Sequence, residues 1–296
     1  MNPGFTIRLL AGVLALVLGT AVLGPGEAQA PEAAKKKPVL TEKTAASRFG
    51  WGGAMWDYAW ELGESLSSSA YRGTNIKGGT WQDRSTGTGR AVRYGGGIEM
   101  MTGPIAGYGE TANHYGTTSL TLQGKADKVG RWEVRERYRY RKNGGTRPFT
   151  FVFELIPEAE NSAACPGQVI TVARTVLGTA KVQIGVKNGQ KRWSRTFAGY
   201  KRPEKKGRVY AVEVRAKKIT WFINGQAIAS IANKQAMPGV KLTPRMRLIG
   251  PNKAQPKGKL MRPTDSLIDW LRHWNLKRGK TAPKGVGLKS GGPAPC

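Results

Sequence analysis

The stretch YAVEVRAKKITWFINGQ, residues 210–226, decides the fold of this chain. Apolar residues at 210, 212 and 214, and again at 219, 221 and 223, alternate with residues that are mostly small, polar or charged. This period of two is typical of strands with one buried face. Asn224-Gly225 favours a two-residue hairpin turn, because both residues tolerate positive φ, and residues 227–231 can form the returning strand. The stretch therefore predicts antiparallel strands joined by a tight turn.

The same alternation recurs on both sides of this stretch. It is found in residues 131–140, 149–155, 181–187 and 268–274. Helical periodicity is not convincing anywhere in the chain, and 40 glycines and nine tryptophans agree with a fold of strands and turns. We therefore predict an all-β fold, an antiparallel β-sandwich.

Composition and motifs exclude several classes of chemistry. Two His and two Cys are too few for a four-ligand zinc site, so we expect no metal. The chain has no phosphate-binding loop, no nucleophile elbow and no cofactor motif, so we expect no cofactor. His114 and His273 lie in unrelated contexts, and the sequence does not indicate a Ser-His-Asp triad.

The N-terminus has the features of a secretory signal peptide. Arg8 precedes an apolar run from Leu9 to Leu23, and small residues follow up to Ala28-Gln29-Ala30. The run is shorter than the ~20 residues that span a bilayer. We predict cleavage after Ala30 and a protein that is secreted, extracellular or associated with a cell wall. An uncleaved membrane anchor is the alternative. No second apolar run is long enough to span a membrane.

The rest of the chain divides by composition into three parts. Residues 31–48 are predicted to be a flexible basic linker, residues 49–278 the β-domain and residues 279–296 a tail rich in Gly, Pro and Lys. In an oxidising compartment Cys165 and Cys296 can form a disulfide that fixes this tail, and a buried free Cys165 is the alternative.

Residues 130–276 resemble glycoside hydrolase family 16, the jelly-roll endoglucanases and laminarinases with a concanavalin A-like fold. Four stretches carry the resemblance, and the 210–226 hairpin is the most specific of them, because it is similar to the family's "YAVEW…I.WYVDG" pattern. The stretches are residues 130–135, 153–157, 210–226 and 269–274. The resemblance implies an antiparallel jelly roll that acts on polysaccharide.

The family's catalytic motif, Gly-Glu-x-Asp-x-(x)-Glu, aligns with a strand that lacks carboxylates here. Gln168 stands at the nucleophile position and Ile170 at the Asp position. The acid/base position holds Ala173 if the strand has a bulge, or Val172 if it has none. A retaining mechanism needs two carboxyl groups about 5–5.5 Å apart. We therefore expect the family's double displacement to fail at this strand and the chain to be inactive.

Other carboxylates are candidates for a relocated active site. Glu154, Glu158 and Glu160 lie just before the motif, and Glu133 and Glu136 lie on an earlier strand. Glu154 and Glu158 are the fallback catalytic pair. The alternative for all five is salt bridges with the many arginines.

A cleft without acids can still bind a polymer through aromatic stacking and planar polar groups. The candidate binding residues are Trp132, Arg137, Tyr138, Tyr140, Gln168, Trp193 and Trp221. The alternative is that these alternating aromatics are core residues.

Charge suggests a further class of partner. The chain has 48 Lys+Arg against 19 Asp+Glu, a net charge of +29, so acidic polymers are candidate ligands. No recognition motif for a nucleic-acid sequence is present. Three hypotheses follow: a catalytically degenerate monomer that binds polysaccharide, an active hydrolase with relocated carboxylates, and a non-specific polyanion-binding protein.

Overall fold

The structure is a computed structural model that describes residues 44–60, 78–93, 96–102, 113–141, 145–200, 204–232, 238–280 and 282. Within these ranges lie one α-helix, one 3₁₀ turn (Glu158–Glu160) and fifteen strands. The helix is α1, Ala45–Phe49. The strands are β1 Trp56–Tyr58, β2 Thr80–Asp83, β3 Arg90–Arg93, β4 Ile98–Met101, β5 Thr117–Gln123, β6 Gly130–Tyr140, β7 Thr150–Ile156, β8 Gln168–Val176, β9 Val182–Asn188, β10 Lys191–Phe197, β11 Arg208–Arg215, β12 Lys218–Ile223, β13 Gln226–Ile231, β14 Thr243–Ile249 and β15 Thr264–Trp274.

These strands form two antiparallel sheets. The first sheet has the order β13-β12-β11-β6-β15-β4-β3, with β1 paired to β15, and the second has the order β10-β9-β8-β7-β14-β5-β2. The two sheets pack as a β-sandwich jelly roll, and this confirms the predicted fold class. The strands predicted from alternation are all present, and the chain turns at Asn224 (φ 48°) and Gly225 (φ 72°) as the hairpin prediction requires.

The main core lies between the two sheets. Trp132, Tyr210 and Trp221 of the first sheet and Phe151 and Phe153 of the second are fully buried in it. The rings of Phe151 and Tyr210 approach to 6.1 Å between centroids across the interface. Alternate residues of each strand point into this core, so the remaining residues form an outer face on each sheet.

A second, smaller cluster lies on the outer face of the first sheet. Phe49 of α1 and Trp51 pack against Phe222 and Trp274. Thr44 caps the helix. The helix therefore begins inside residues 31–48, the segment predicted to be a flexible linker. Residues 44–48 are therefore part of the folded domain, because α1 covers apolar side chains that the first sheet would otherwise expose.

The predicted signal peptide and most of the linker and tail lie outside the described residues. Ala282 of the tail is buried, and its carbonyl accepts a hydrogen bond from Lys218 Nζ (3.4 Å). No helix in the described part of the chain is long and apolar enough to cross a membrane.

Candidate functional site

Strand β8 corresponds to the strand that carries the catalytic motif in the resemblance, so its two faces decide what chemistry is available. Ile170 lies opposite Leu155, and Ala173 lies opposite Phe153. All four side chains are fully buried in the core between the sheets. Thr171 lies opposite Glu154 and therefore points to the outer face of the second sheet.

A β-bulge changes the spacing along β8. The register with β7 shifts between Phe153 and Glu154, and the register with β9 shifts between Thr171 and Arg174. The outward positions are consequently Val169, Thr171 and Arg174. Their spacing, i, i+2 and i+5, is the spacing of the family's motif with a bulge. The outward positions are 169, 171 and 174, each one residue after the positions 168, 170 and 173 predicted from the sequence.

This register corrects the predicted orientation of the motif positions. Ile170 and Ala173 face the core and not a cleft. Gln168 lies at the start of β8, where its Nε2 donates to Asn188 Oδ1 (3.0 Å) and to the carbonyl of Pro238 (2.9 Å). Neither the predicted positions nor the outward positions found in the structure carry a carboxylate.

Glu154 lies on the same outer face but is engaged in ion pairs. Its Oε1 lies 2.7 Å from Arg245 Nε and 2.8 Å from Arg247 Nε. The side chain of Glu154 is 1% exposed, and that of Arg245 is also 1% exposed. A buried carboxylate whose oxygen is held between two guanidinium groups is not free to attack a substrate.

The loop from 157 to 167 covers part of this outer face. Arg245 Nη1 donates to the carbonyls of Asn161 (3.2 Å) and Ala163 (2.7 Å), and Arg247 Nη1 donates to that of Ala164 (2.9 Å). The two arginines therefore hold the loop on β14.

The acidic residues of the same loop fix backbone. Glu158 Oε1 accepts hydrogen bonds from the amides of Gly124 (2.7 Å) and Lys125 (3.2 Å). Glu160 accepts one from the amide of Gly167. Among the described contacts, Glu154 thus forms ion pairs with arginines, as the salt-bridge alternative expects. Glu158 and Glu160 accept backbone hydrogen bonds instead.

Glu133 and Glu136 on β6 are fully buried on opposite faces of the first sheet. Glu133 Oε1 accepts from the amide of Ala45 at the start of α1 (2.5 Å), and burial raises the pKa of Glu133 to about 7. Glu136 accepts from Ser266 Oγ (2.7 Å). Both side chains are buried within the fold and do not face the outer surface of the second sheet.

Arg174 differs from its charged neighbours on the second sheet. Its side chain is partly exposed, and it has no hydrogen-bond partner among the described residues. Burial is the main cause that lowers the pKa of Arg174, and the nearby charge of Arg247 lowers it further, while Glu154 partly offsets both. The guanidinium group is therefore positioned next to a second positive charge and is available to a ligand.

The predicted aromatic binding residues are core residues. Trp132 and Trp221 are 0% exposed, and Tyr138 and Trp193 are also buried. Trp221 packs on Trp193 with 5.3 Å between ring centroids and donates from Nε1 to the carbonyl of Thr171 (2.9 Å). These side chains cannot stack on a sugar, since they fill the space between the sheets.

The remaining two predicted binding residues do not join Gln168 at β8. Tyr140 is partly buried against the core, and Arg262 lies over its ring at 3.7 Å from the centroid. Arg137 projects from the outer face of the first sheet and pairs with Asp269 (3.1 Å). The structure thus separates the predicted polar residues onto the two sheets.

A pair of carboxylates that sequence analysis did not identify lies on the outer face of the first sheet. Glu99 and Asp265 line a cavity of about 210 Å³. Burial, and then the charge of Asp265, raises the pKa of Glu99. Arg139 binds both carboxylates, at 2.6 and 2.7 Å. Neither acid belongs to a recognisable motif, so the sequence contains no signal that would pair them.

The contacts of this pair do not suit glycoside hydrolysis. Arg139 binds Glu99 through Nη2 (2.6 Å) and Asp265 through Nε (2.7 Å), so one guanidinium group holds both carboxylates. Retaining enzymes need about 5–5.5 Å between the carboxyl groups, and inverting enzymes need about 6.5–9.5 Å. Glu99 and Asp265 are both paired with Arg139 and are therefore not the two free carboxyl groups that either mechanism uses.

The histidines and cysteines also have structural positions. His273 is 1% exposed and stacks on Trp56, and burial lowers its pKa to about 4. His114 is buried with Nδ1 against the carbonyl of Thr102. Cys165 does not carry a free thiol, and Lys187 Nζ lies 3.2 Å from its Sγ. Cys296 lies outside the described residues, so its pairing with Cys165 stays a prediction.

Comparison with known proteins identifies relatives by structure alone. No family model matches the chain, and no curated protein sequence matches it. A structure described with the endo-acting O-glycanases that human gut microbiota use to initiate mucin breakdown has a TM-score of 0.55 at 14% identity, and the match covers 76% of this chain and 100% of that one.

Two glucan-degrading enzymes match to a similar extent. For the Bacillus licheniformis β-glucanase the TM-score is 0.52 at 13% identity, with 76% of this chain and 99% of that chain covered. For a laminarinase from Flavobacterium sp. UMI-01 the TM-score is 0.53 at 12% identity, and the match covers 75% of this chain and 100% of that chain. The chain thus has the jelly-roll fold of glycoside hydrolase family 16, as the four sequence stretches indicate.

Proposed function

We propose that this chain is a secreted jelly-roll protein that binds polysaccharide without hydrolysing it. The observation that carries the proposal is the outer face of β8, where Val169, Thr171 and Arg174 occupy the outward positions and none is an acid. The structural neighbours include β-glucan-degrading enzymes, and this supports a polysaccharide as the ligand.

The absence of carboxylates on β8 argues against double displacement there. Valine and threonine cannot supply a proton at neutral pH, and a guanidinium group cannot act as a nucleophile or as a general acid, since it keeps its proton. Loss of acid/base assistance alone lowers a rate by roughly 10²–10⁴-fold. Binding requires only accessible polar groups, and the second sheet retains the partly exposed side chains of Arg174 and Gln183.

An active hydrolase with relocated carboxylates is the second candidate. Its strongest support is the raised pKa of Glu99 beside Asp265 in the cavity of the first sheet. Arg139 argues against it, because this guanidinium group pairs with both carboxylates and leaves neither free to act on a glycosidic bond.

Secretion after cleavage at Ala30 is part of the proposal and has its own test. Expression in a secreting host and N-terminal sequencing of the medium fraction should give Pro31 as the first residue. Retention of residues 1–30 in a membrane fraction would support the alternative, an uncleaved anchor. Sedimentation velocity of the same material tests the expected monomer.

A blocking experiment tests whether the outer face of the second sheet binds glycan. Val176 on β8 is 40% exposed, and it lies opposite Thr150 on the same face as Arg174. A Val176→Cys variant labelled with a bulky maleimide should lose binding to insoluble β-1,3- and mixed-linkage glucans in a pull-down. Met55→Cys, labelled in the same way, is the control, since Met55 is 59% exposed and precedes β1 of the first sheet.

The two labelled variants separate the outcomes. Loss of binding only in the Val176→Cys conjugate supports the proposed face. Equal binding by both conjugates would show that glycan binds elsewhere. No binding by the unlabelled chain to any of the polymers would overturn the proposed function itself.

A further inference from the structure

The outer face of the second sheet carries an excess of positive charge close to β8. Arg174, Arg245 and Arg247 lie on it together with one carboxylate, Glu154. Arg174 and Arg247 flank Val152 from the two neighbouring strands, so their Cα atoms are about 10 Å apart. The charge of Glu160 in the neighbouring loop also acts on Arg245. Two carboxylates do not neutralise three guanidinium groups, so a local charge of about +1 remains.

The buried arginines also have donors without partners. Arg245 Nη2 and Arg247 Nε are buried and make no hydrogen bond, although Arg247 Nε lies within ion-pair distance of Glu154. The side chain of Arg245 is 1% exposed and that of Arg247 is 8% exposed. Buried N–H groups without acceptors are rare in folded proteins, because each loses its hydrogen bond to water. These donors leave the positive charge of Arg245 and Arg247 only partly compensated beside Arg174.

Arg174 provides the accessible part of the same cluster. It is partly exposed, its guanidinium group has no hydrogen-bond partner among the described residues, and it interacts with the charges of both Glu154 and Arg247. A guanidinium group presents a planar fork of donors that matches the two oxygens of a carboxylate or a sulfate. Gln183 lies opposite Arg174 in the sheet register, is partly exposed and adds an amide that can bind hydroxyls.

We propose that Arg174, supported by Arg245 and Arg247, forms an anion-binding site that selects polysaccharides with carboxylate or sulfate groups. This inference rests on the proposed function, because it names the ligand class of the proposed binding face. An acidic polysaccharide fits better than nucleic acid, since the arginines lie in a row within one sheet face and two of them are buried. A backbone of regularly spaced phosphates is contacted through exposed Lys and Arg.

Affinity measurements on the purified chain at about 0.15 M salt test the proposal. The probes are polygalacturonate, a sulfated galactan, a neutral β-1,3-glucan and a short DNA duplex. The variants are Arg174→Gln, Arg174→Lys, and Arg48→Gln as a control with the same charge change. Arg48 is exposed on α1, which packs on the first sheet.

The expected result is specific to the acidic sugars. Arg174→Gln should weaken binding to at least one acidic polysaccharide by roughly ten- to a hundred-fold, the effect of losing one charge-assisted hydrogen-bonded contact. Arg174→Lys should give an intermediate loss, because it keeps the charge but not the fork, and it also provides a test if Arg174→Gln folds poorly. Arg48→Gln should change binding by less than about two-fold. The polymer whose binding depends on Arg174 identifies the anion as carboxylate or sulfate.

The remaining outcomes distinguish the two proposals. Binding to the neutral glucan that equals binding to the acidic polymers, with no effect of Arg174→Gln, would overturn this inference and leave the proposed function intact. Binding to DNA alone, weakened equally by Arg174→Gln and Arg48→Gln, would overturn both and show a non-specific polyanion-binding protein. If binding to the acidic polymers depends on Arg174, the result supports both proposals.

Discussion

Glu154 lies on the outer face of a sheet of the family 16 type and is nevertheless unsuited to chemistry. Its environment explains this: two arginines on β14 bind one of its oxygens, and the 157–167 loop covers those arginines. A buried ion pair is strongly destabilised when one partner is removed, since the other charge remains buried without compensation. Glu154 is therefore a structural residue whose loss affects folding.

Substitution of Glu154 tests this role. Glu154→Gln should lower the free energy of unfolding by about 3–5 kcal/mol, because Arg245 and Arg247 lose their counter-charge. Glu158→Gln is the matched control, since glutamine can still accept from the amides of Gly124 and Lys125, and it should cost less than about 1 kcal/mol. Urea denaturation of the two variants makes the comparison. Equal effects would show that the Glu154 ion pairs are not worth more than a surface contact.

Glu133 predicts a dependence of stability on pH. Its pKa is raised to about 7 in the folded protein, mainly by burial, from 4.5 in an unperturbed group, and its Oε2 is buried without a partner. The folded state thus holds a proton that the unfolded state releases. The stabilisation from protonated Glu133 is complete below pH 4.5 and is lost as the pH rises through about 7.

The Glu133→Gln variant isolates this contribution, because glutamine resembles the protonated acid. The stability of the variant relative to the unmodified chain should rise between pH 4.5 and 8, by at most about 3 kcal/mol. The pKa of His273 is lowered to about 4, and its opposite effect on stability cancels in the comparison, since both proteins contain it. Urea denaturation across this pH range is the measurement. A difference that stays constant with pH would contradict the raised pKa.

Substitution of Trp132 tests whether this residue acts in the core or in glycan binding. It is fully buried and packs on His273 with 4.7 Å between ring centroids. Trp132→Ala should lower the free energy of unfolding by about 3–5 kcal/mol and leave glycan affinity per folded molecule unchanged. Trp270→Ala, at a partly exposed position, should cost less. A loss of affinity without a loss of stability in Trp132→Ala would restore the binding interpretation.

At the scale of the element, strands differ in how well the sequence determines their orientation. Strand β6 alternates apolar and charged residues except at Glu136, so its inward face is predictable. Strand β8 does not: Val169, Ile170, Val172 and Ala173 are all apolar, and only Thr171 interrupts them. A period of two gives no contrast in such a run, and the bulge between Thr171 and Arg174 changes the phase further. The predicted orientation was therefore displaced by one residue.

The β12–β13 hairpin is an element that local sequence determines well. Gly225 has a φ of 72°, in the left-handed region that a residue with a Cβ adopts at a cost. Gly225→Ala should lower the free energy of unfolding by about 1–2 kcal/mol. Gly53→Ala is the control, because a Cβ at Gly53 would meet no atom within 4 Å and its φ is not positive. Thermal unfolding of both variants makes the test, and equal melting temperatures would mean that the turn imposes no such constraint.

At the scale of the whole molecule, the fold was accessible from the sequence and much of the site was not. Alternating strands and four family-like stretches predict the sandwich, since binary patterning and turn residues act locally. The Glu99–Asp265 pair and the row of Arg174, Arg245 and Arg247 each join strands far apart in sequence. The pairing of β15 with β4 brings Glu99 close to Asp265, and the pairing of β7 with β14 and β8 brings the three arginines together. No local sequence pattern encodes these strand pairings.

The aromatic residues illustrate the same limit. Trp132 and Trp221 lie on strands with clear alternation, but the pattern does not say which face meets solvent. In a sandwich of two sheets the apolar face of each strand is used to bury the core, so a large ring at an alternating position is more often packed than exposed. Charge is then the signal that remains for ligand binding, and on the outer face of the second sheet Arg174, Arg245 and Arg247 carry it.

The central claim is that this jelly roll binds polysaccharide and does not cleave it. The most direct test incubates the purified chain with insoluble β-1,3-glucan, mixed-linkage glucan and an acidic polymer, and measures protein depletion and reducing ends in the same tube. The Bacillus licheniformis β-glucanase serves as the positive control for turnover. We predict saturable depletion on at least one polymer while reducing ends stay at the level of the blank. Reducing ends that increase with time and with protein concentration, and that disappear in a Glu99→Gln or Glu158→Gln variant, would contradict the account.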